Sequence, residues 1–237
     1  MKSIRLLILT VLLLISCQTL PVIKPVTLQP ETKALVCPVC PSPFLKEPYR
    51  LVHIIEAQVA GETMGTLIGI TLINPSTRFV SCAMMTAEGM VLLEVEASPA
   101  LKLIRALPPF DSRDFAQNMI EDIRLIFLTP EGKITTKGSL ADGAEICRWQ
   151  TGSGGFIDVI ARQPEAFEIN RYAASGDWKR KIKLKHSAEN LYQNIELTAK
   201  DASNYSLVMT LIESEPAESE LQPGNQGLLN NEENCGR

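Results

Sequence analysis

From Tyr49 onward the chain is a succession of short apolar runs in which both faces carry apolar side chains. That pattern limits the folds open to it more than any other feature. Residues 49–59 place Leu51, His53, Ile55, Ala57 and Val59 on one face of a strand, yet Val52 and Ile54 make the other face apolar too. Residues 66–73 repeat this, with Ile68, Ile70 and Leu72 alternating with Leu67, Gly69 and Thr71. Asn74-Pro75-Ser76 is a turn signal. Residues 79–85 form a third run, Ala87-Glu88-Gly89 turns the chain into residues 91–96, and residues 100–107 make a fifth. Runs this close, joined by short turns, read as an antiparallel meander. A half-exposed sheet needs only one apolar face, so a helix, a second sheet or a ligand must cover the other.

One segment breaks the β pattern. Pro108-Pro109-Phe110 is a hard stop, and Asp111 or Ser112 can cap a helix running to about Leu128. Phe115, Met119, Ile123 and Phe127 recur every four residues, broadened by Ile120, Ile126 and Leu128, while Arg113, Asp114, Gln117, Asp122 and Arg124 lie largely off the stripe. This is an amphipathic helix lying on the sheet. Its stripe is either ordinary core or the inner face of a lid over a cavity. In the second case Phe115, Met119, Ile123 and Phe127 are the ligand-facing residues.

After Pro130-Glu131-Gly132 the strand pattern resumes over residues 133–136, 144–150, 156–162, 167–172, 178–186, 192–198 and 205–212. Thr151-Gly152-Ser153-Gly154-Gly155 reads as a hairpin tip, not a phosphate loop, since no helix follows to meet an anion. Lys181, Lys183 and Lys185 share one strand face, which suits an anionic headgroup or a solvated face that resists aggregation.

The first residues set the compartment. Lys2 and Arg5 precede an apolar stretch of about ten residues, a signal-peptide h-region too short to span a bilayer. It ends in Leu14-Ile15-Ser16-Cys17, which resembles the bacterial lipobox. The resemblance implies cleavage between Ser16 and Cys17 and acylation of Cys17. Gln18, where enterobacterial sorting places Asp to retain a lipoprotein in the inner membrane, implies the outer membrane and its periplasmic face. The expected organisation is a signal peptide over residues 1–16, a lipidated Pro-rich tether over 17–48, a β domain over 49–213 and a disordered acidic tail over 214–237. Extended, the tether reaches on the order of 90 Å.

Removal of residues 1–16 leaves 21 basic and 27 acidic side chains, a net −6. This argues against a nucleic-acid partner, which needs a clustered basic surface. The six cysteines are Cys17, Cys37, Cys40, Cys82, Cys147 and Cys235. Cys37 and Cys40 have C-x-x-C spacing, but Pro38, Pro41 and Pro43 forbid the helix that redox chemistry uses. They are candidates for a disulfide or idle thiols, or for redox or copper handling, with Cys82 and Cys147 in or near the core. His53 and His186 stand alone in strands, so no metal site is expected. There is no G-x-S-x-G or H-E-x-x-H motif, and Asp111, Asp114, Glu121 and Asp122 suit helix capping and a polar helix face. The pattern reads as a binding module, not an enzyme, with no cofactor.

Three stretches carry a further resemblance: Thr66-Leu67-Ile68-Gly69-Ile70-Thr71-Leu72, then Leu103-Ile104-Arg105-Ala106-Leu107-Pro108-Pro109-Phe110, then the helix. Residues 65–128 resemble the LolA/LolB localisation-factor fold and, more narrowly, a family of LolB-like bacterial lipoproteins. The resemblance implies a mostly β (α+β) fold, an incomplete antiparallel barrel or strongly curved sheet with one main amphipathic helix packed on it. It also implies a cavity that holds acyl chains. The expected function is binding or transfer of an acylated or hydrophobic ligand, a lipid, lipoprotein or polyene-like product, at the outer membrane. The rivals are a structural or assembly lipoprotein of an envelope complex with a protein partner, and a cysteine-based redox or metal-handling protein.

Overall fold

The computed structural model describes residues 20–25, 40–163, 165–186, 191–200 and 204–217, and among these alternating apolar residues and tight turns produce thirteen strands and one helix. The strands are β1 (Lys24–Pro25), β2 (Tyr49–Val59), β3 (Glu62–Asn74), β4 (Phe79–Met85), β5 (Val91–Ser98), β6 (Ala100–Ala106), β7 (Lys133–Ser139), β8 (Glu145–Gln150), β9 (Phe156–Gln163), β10 (Ala166–Tyr172), β11 (Trp178–His186), β12 (Tyr192–Ala199) and β13 (Tyr205–Pro216). The helix, α1, is Arg113–Phe127. The strands form an antiparallel sheet in the order β1-β7-β8-β9-β10-β11-β12-β13-β2-β3-β4-β5-β6. The order has two ends, β1 and β6, so the sheet is not closed into a barrel. A mostly β fold with one packed helix is the class read from the sequence. The β2–β3 hairpin turns through Ala60 and Gly61, both at positive φ. That geometry matches the twist of paired strands.

The chain falls into two compact units. The first holds the described residues of Met1–Phe44, Ile54–Leu67 and Thr129–Leu211; the second holds those of Leu45–His53, Ile68–Leu128 and Ile212–Arg237.

In the first unit, β7 to β12 form a meander in which one row of side chains is buried from β8 to β12: Cys147 pairs with Val159, Val159 with Ile169, Ile169 with Ile182 and Ile182 with Leu197, none more than 2% exposed. The opposite row is polar towards β10–β12, where Glu168 sits across from Lys183 and Lys183 across from Glu196. On β8 and β9 that row is buried as well. It holds Ile146 beside Ile160 and Arg148 beside Asp158.

The cover over this second face is a stretch of the N-terminal segment. Ile23 packs on Leu140, Ile146 and Ile160. Lys24 and Pro25, as β1, pair with Ser139 and Gly138 of β7. Arg148 donates from Nη2 to the Pro21 carbonyl at 3.1 Å. Within the stretch 17–48 expected to be an extended tether, residues 20–25 instead lie along the sheet. Proline is tolerated there because an edge strand can leave one side of its backbone unpaired.

A second difference concerns the cysteines. Cys40 is disulfide-bonded to Cys147 on β8, 107 residues away, not to Cys37 as its spacing suggested. Cys37 lies outside the described residues, with Cys17, Ser16 and the chain beyond Ala217. Adjacent prolines dictate no register, so nothing local favours the near partner over a thiol presented by a packed strand.

In the second unit, β3, β4 and β5 bury one face through Thr71 beside Cys82 and Cys82 beside Val95, flanked by Ile73, Val80 and Ala97. Cys82 is a free thiol. Burial pushes it up to about 11, so it is an inert core residue. The helix α1 lies near β4 and β6.

Candidate functional site

The helix α1 begins where the sequence signals it. Ser112 is the N-cap, its Oγ accepting from the Phe115 N–H at 2.9 Å. Asp114 in the first turn and Arg124 in the last both complement the helix dipole. Arg124 also reaches back to the sheet, donating to the Arg78 carbonyl at 3.4 Å and the Ala97 carbonyl at 3.5 Å.

The inner stripe is not the one the four-residue recurrence suggested. Ala116 and Ile120 are fully buried, with Ile123 and Phe127 behind them, while Phe115 is 36% exposed and Met119 half-buried. The reason is helical geometry. Each residue turns the axis by about 100°, so every step of four overshoots by about 40°. Three such steps set Phe115 about 120° around the axis from Phe127. The spacing 116, 120, 123, 127 mixes steps of three and four and holds a straight line. Ile123 and Phe127 therefore stay in the core, and Phe115 rolls out of it.

The two ends of α1 are consequently unlike. At the C-terminal end Asp122, Ile123, Leu125, Ile126, Phe127 and Leu128 are all buried. Leu45 N–H bonds the Phe127 carbonyl at 3.0 Å, and the His53 ring lies 6.0 Å from the Phe127 ring. At the N-terminal end the Phe115 ring meets Phe110 at 5.3 Å. Leu107, in the turn before it, and Ile104, on the last strand of the order, are both exposed. Ile104, Leu107 and Phe115 are thus exposed, and Phe110 half-buried, along the stretch of chain that leads from the sheet edge onto the helix.

His53 marks the closed end. It is buried, and its Nε2 has no hydrogen-bond partner. Burial lowers its pKa to about 4, so the ring is neutral near pH 7. An unfolded histidine takes its proton at about 6.5. Stability from the neutral ring is therefore complete above that value and is lost as pH falls towards 4. The expected loss is roughly 3 kcal/mol. Denaturation of the wild type and of His53→Phe at about pH 7 and pH 4.5 should show the wild type losing about 2 kcal/mol more, since pH 4.5 lies short of the full loss.

The lysines of β11 are occupied by carboxylates. Lys183 and Lys185 lie 3.4 and 3.3 Å from Glu196, and Lys181 lies 3.7 Å from Glu168. The Lys185 bond leads in holding Glu196 below its ordinary range. These are exposed pairs and add little stability. The strand runs between β10 and β12, so the lysines protect no edge.

The polar feature that sequence reasoning missed is the pair Arg148–Asp158. Arg148 forks onto Asp158 with Nε at 2.6 Å and Nη2 at 2.7 Å, at side-chain exposures of 13% and 0%. Burial raises the Asp158 carboxyl, against the pull of the guanidinium. A signal was there to find. Each residue sits three positions from the Thr151–Gly155 hairpin tip, and opposite charges at matched distance from a turn face each other.

Among the described residues no group of three or more His, Cys, Asp or Glu could hold a metal, and no helix is long and apolar enough to cross a membrane. No family model and no curated protein matches the chain. Among solved structures it is similar to the crystal structure of a LolA superfamily protein from Nitrosomonas europaea, at 9% identity and a TM-score of 0.46, over 74% of this chain and 88% of that one.

Proposed function

We propose that this chain is a lipoprotein, anchored through Cys17 on the periplasmic face of the outer membrane, that binds or passes on an acylated or otherwise hydrophobic ligand. The observation that carries the proposal is the exposure of Ile104, Leu107 and Phe115, with Phe110 in ring contact with Phe115, along the stretch leading onto a helix whose C-terminal end is packed. Exposed apolar groups that gather into one patch are binding surfaces more often than accidents of folding. Aliphatic and aromatic side chains with few polar groups suit an acyl chain or polyene, and transfer down an affinity gradient needs no cofactor. Asp111 and Asp114 sit at the start of the helix, and no reaction is assigned to them.

The test separates site from fold. Phe115→Asp changes a side chain outside the core, so thermal stability should be nearly unchanged while binding of a fluorescent fatty acid falls at least about tenfold. Unchanged binding would remove the helix end from the account. Cys17→Ser, in cells, should release the protein from the membrane fraction.

A second reading has its own support. The strand β6 ends the sheet order among the described residues, and a free strand edge beside apolar side chains is a template for another protein. A structural lipoprotein of an envelope complex would retain a protein, not a lipid, through the same residues. The redox reading, built on Cys37 and Cys40 as a pair, loses its partner thiol to Cys147.

A further inference from the structure

The N-terminal segment does more than fill a face of the sheet. Counting along the sequence, only Gln18 and Thr19 separate Cys17 from Leu20, the first described residue of the docked segment. Three Cα–Cα steps span at most about 11 Å. From Leu20 onward the segment packs on the first unit. The Leu20 side chain reaches Gly176, Pro21 accepts from Arg148, Ile23 enters the Leu140–Ile146–Ile160 cluster, and Lys24–Pro25 pair with β7. The close approach depends on Gly138, where any Cβ would run into the Lys24 carbonyl and the Ile23 side chain. Downstream the Cys40–Cys147 disulfide fastens the chain to the adjoining strand a second time.

We infer that the docked segment is a short mooring that holds the β1–β7 edge of the first unit against the surface of the bilayer carrying the anchor. The inference rests on the lipoprotein reading of Cys17 and goes beyond it. A 32-residue leash would let the domain stand far off the membrane; here the covalent reach from Cys17 to the docked Leu20 is three Cα–Cα steps. The surface so presented has Val22, 84% exposed, and the exposed Lys24 and Lys137 of the β1–β7 pair. An exposed apolar side chain and lysines on one edge suit the headgroup region of an anionic membrane.

The experiment uses the full acylated chain in vesicles of phosphatidylethanolamine and phosphatidylglycerol with spin-labelled headgroups. A fluorescent amino acid replaces Lys137, and the mass of the Cys17 peptide is read in parallel. An acylated Cys17 with strong quenching is expected. Quenching should be lost when about 20 Gly/Ser residues, adding roughly 25 Å of reach, are inserted between Gln18 and Thr19. It should also be lost in Gly138→Leu, which undocks the segment. The insertion leaves every docked residue in place, so it reports even where Gly138→Leu folds poorly. An acylated protein whose label is not quenched, or is quenched equally with the insertion, overturns the mooring and leaves the lipoprotein reading standing. An unmodified Cys17 overturns both.

Discussion

Replacing Cys147 by alanine should destabilise the protein by about 2–5 kcal/mol. The bond joins residues 107 apart, and a loop of that length removes about 4.7 kcal/mol of chain entropy from the unfolded state in the simplest model. The bond also ties a proline-rich segment with little cohesion of its own to β8. Urea titration checks the expectation. Wild-type protein in a strong reductant should fall to the midpoint of Cys147→Ala, and the variant should ignore the reductant. A wild-type midpoint that does not move on reduction would show that packing alone holds Cys40 in place. Cys82 should not confuse the experiment, because burial keeps it from acting as a thiolate.

Asp158→Ala should cost about 3–5 kcal/mol, the usual penalty for leaving one member of a buried ion pair without the other. Asp158 is fully buried and Arg148 nearly so, with both carboxylate oxygens engaged. The guanidinium has one further oxygen partner, the Pro21 carbonyl, and it lies 5.9 Å from the Phe156 ring. Neither replaces a carboxylate. The companion variant separates the charge from the packing. Arg148→Met with Asp158→Leu removes both charges at similar volume and should recover most of the loss, since apolar replacement of a buried pair is often neutral or better. A single variant that costs less than about 1 kcal/mol would mean that water reaches the pair. A double variant as unstable as the single would mean that the bond to Pro21 is the larger contribution.

How much of this could be read from the chain alone depended on whether the cause was local. The strand at 79–85 and the strand at 178–186 have the expected limits because alternation and flanking turns both act within a few residues. The helix start was legible for the same reason: a Pro-Pro stop, then a serine whose side chain closes the first turn. Long-range causes were not legible. The two-residue β1 has no strand signal; it forms because β7 offers an edge and Gly138 leaves room. The strand β13 was expected to stop at Ile212, where the composition turns acidic. It continues to Pro216, and Arg50 pairs with Glu213 and Glu215, so the acidic residues have a partner from β2.

The candidate site was half legible. The helix and its apolar character followed from the sequence, but its outward residues did not, because a recurrence of four looks like a stripe on paper and winds around a real helix. Ile123 and Phe127 belong to the core, and substituting them tests folding, not binding. Phe115, with Phe110 against it, is where the helix has apolar surface to offer.

The most direct test of the carrier account is native mass spectrometry of the acylated protein, purified gently and followed by organic extraction. The account predicts one hydrophobic ligand per chain, with an acyl or polyene chain among the extracted products, absent from Phe115→Asp although that variant melts like the wild type. A clean ligand-free mass that stays unchanged when fatty acids are offered would contradict it, and the exposed Ile104, Leu107 and Phe115 would then belong to a protein interface.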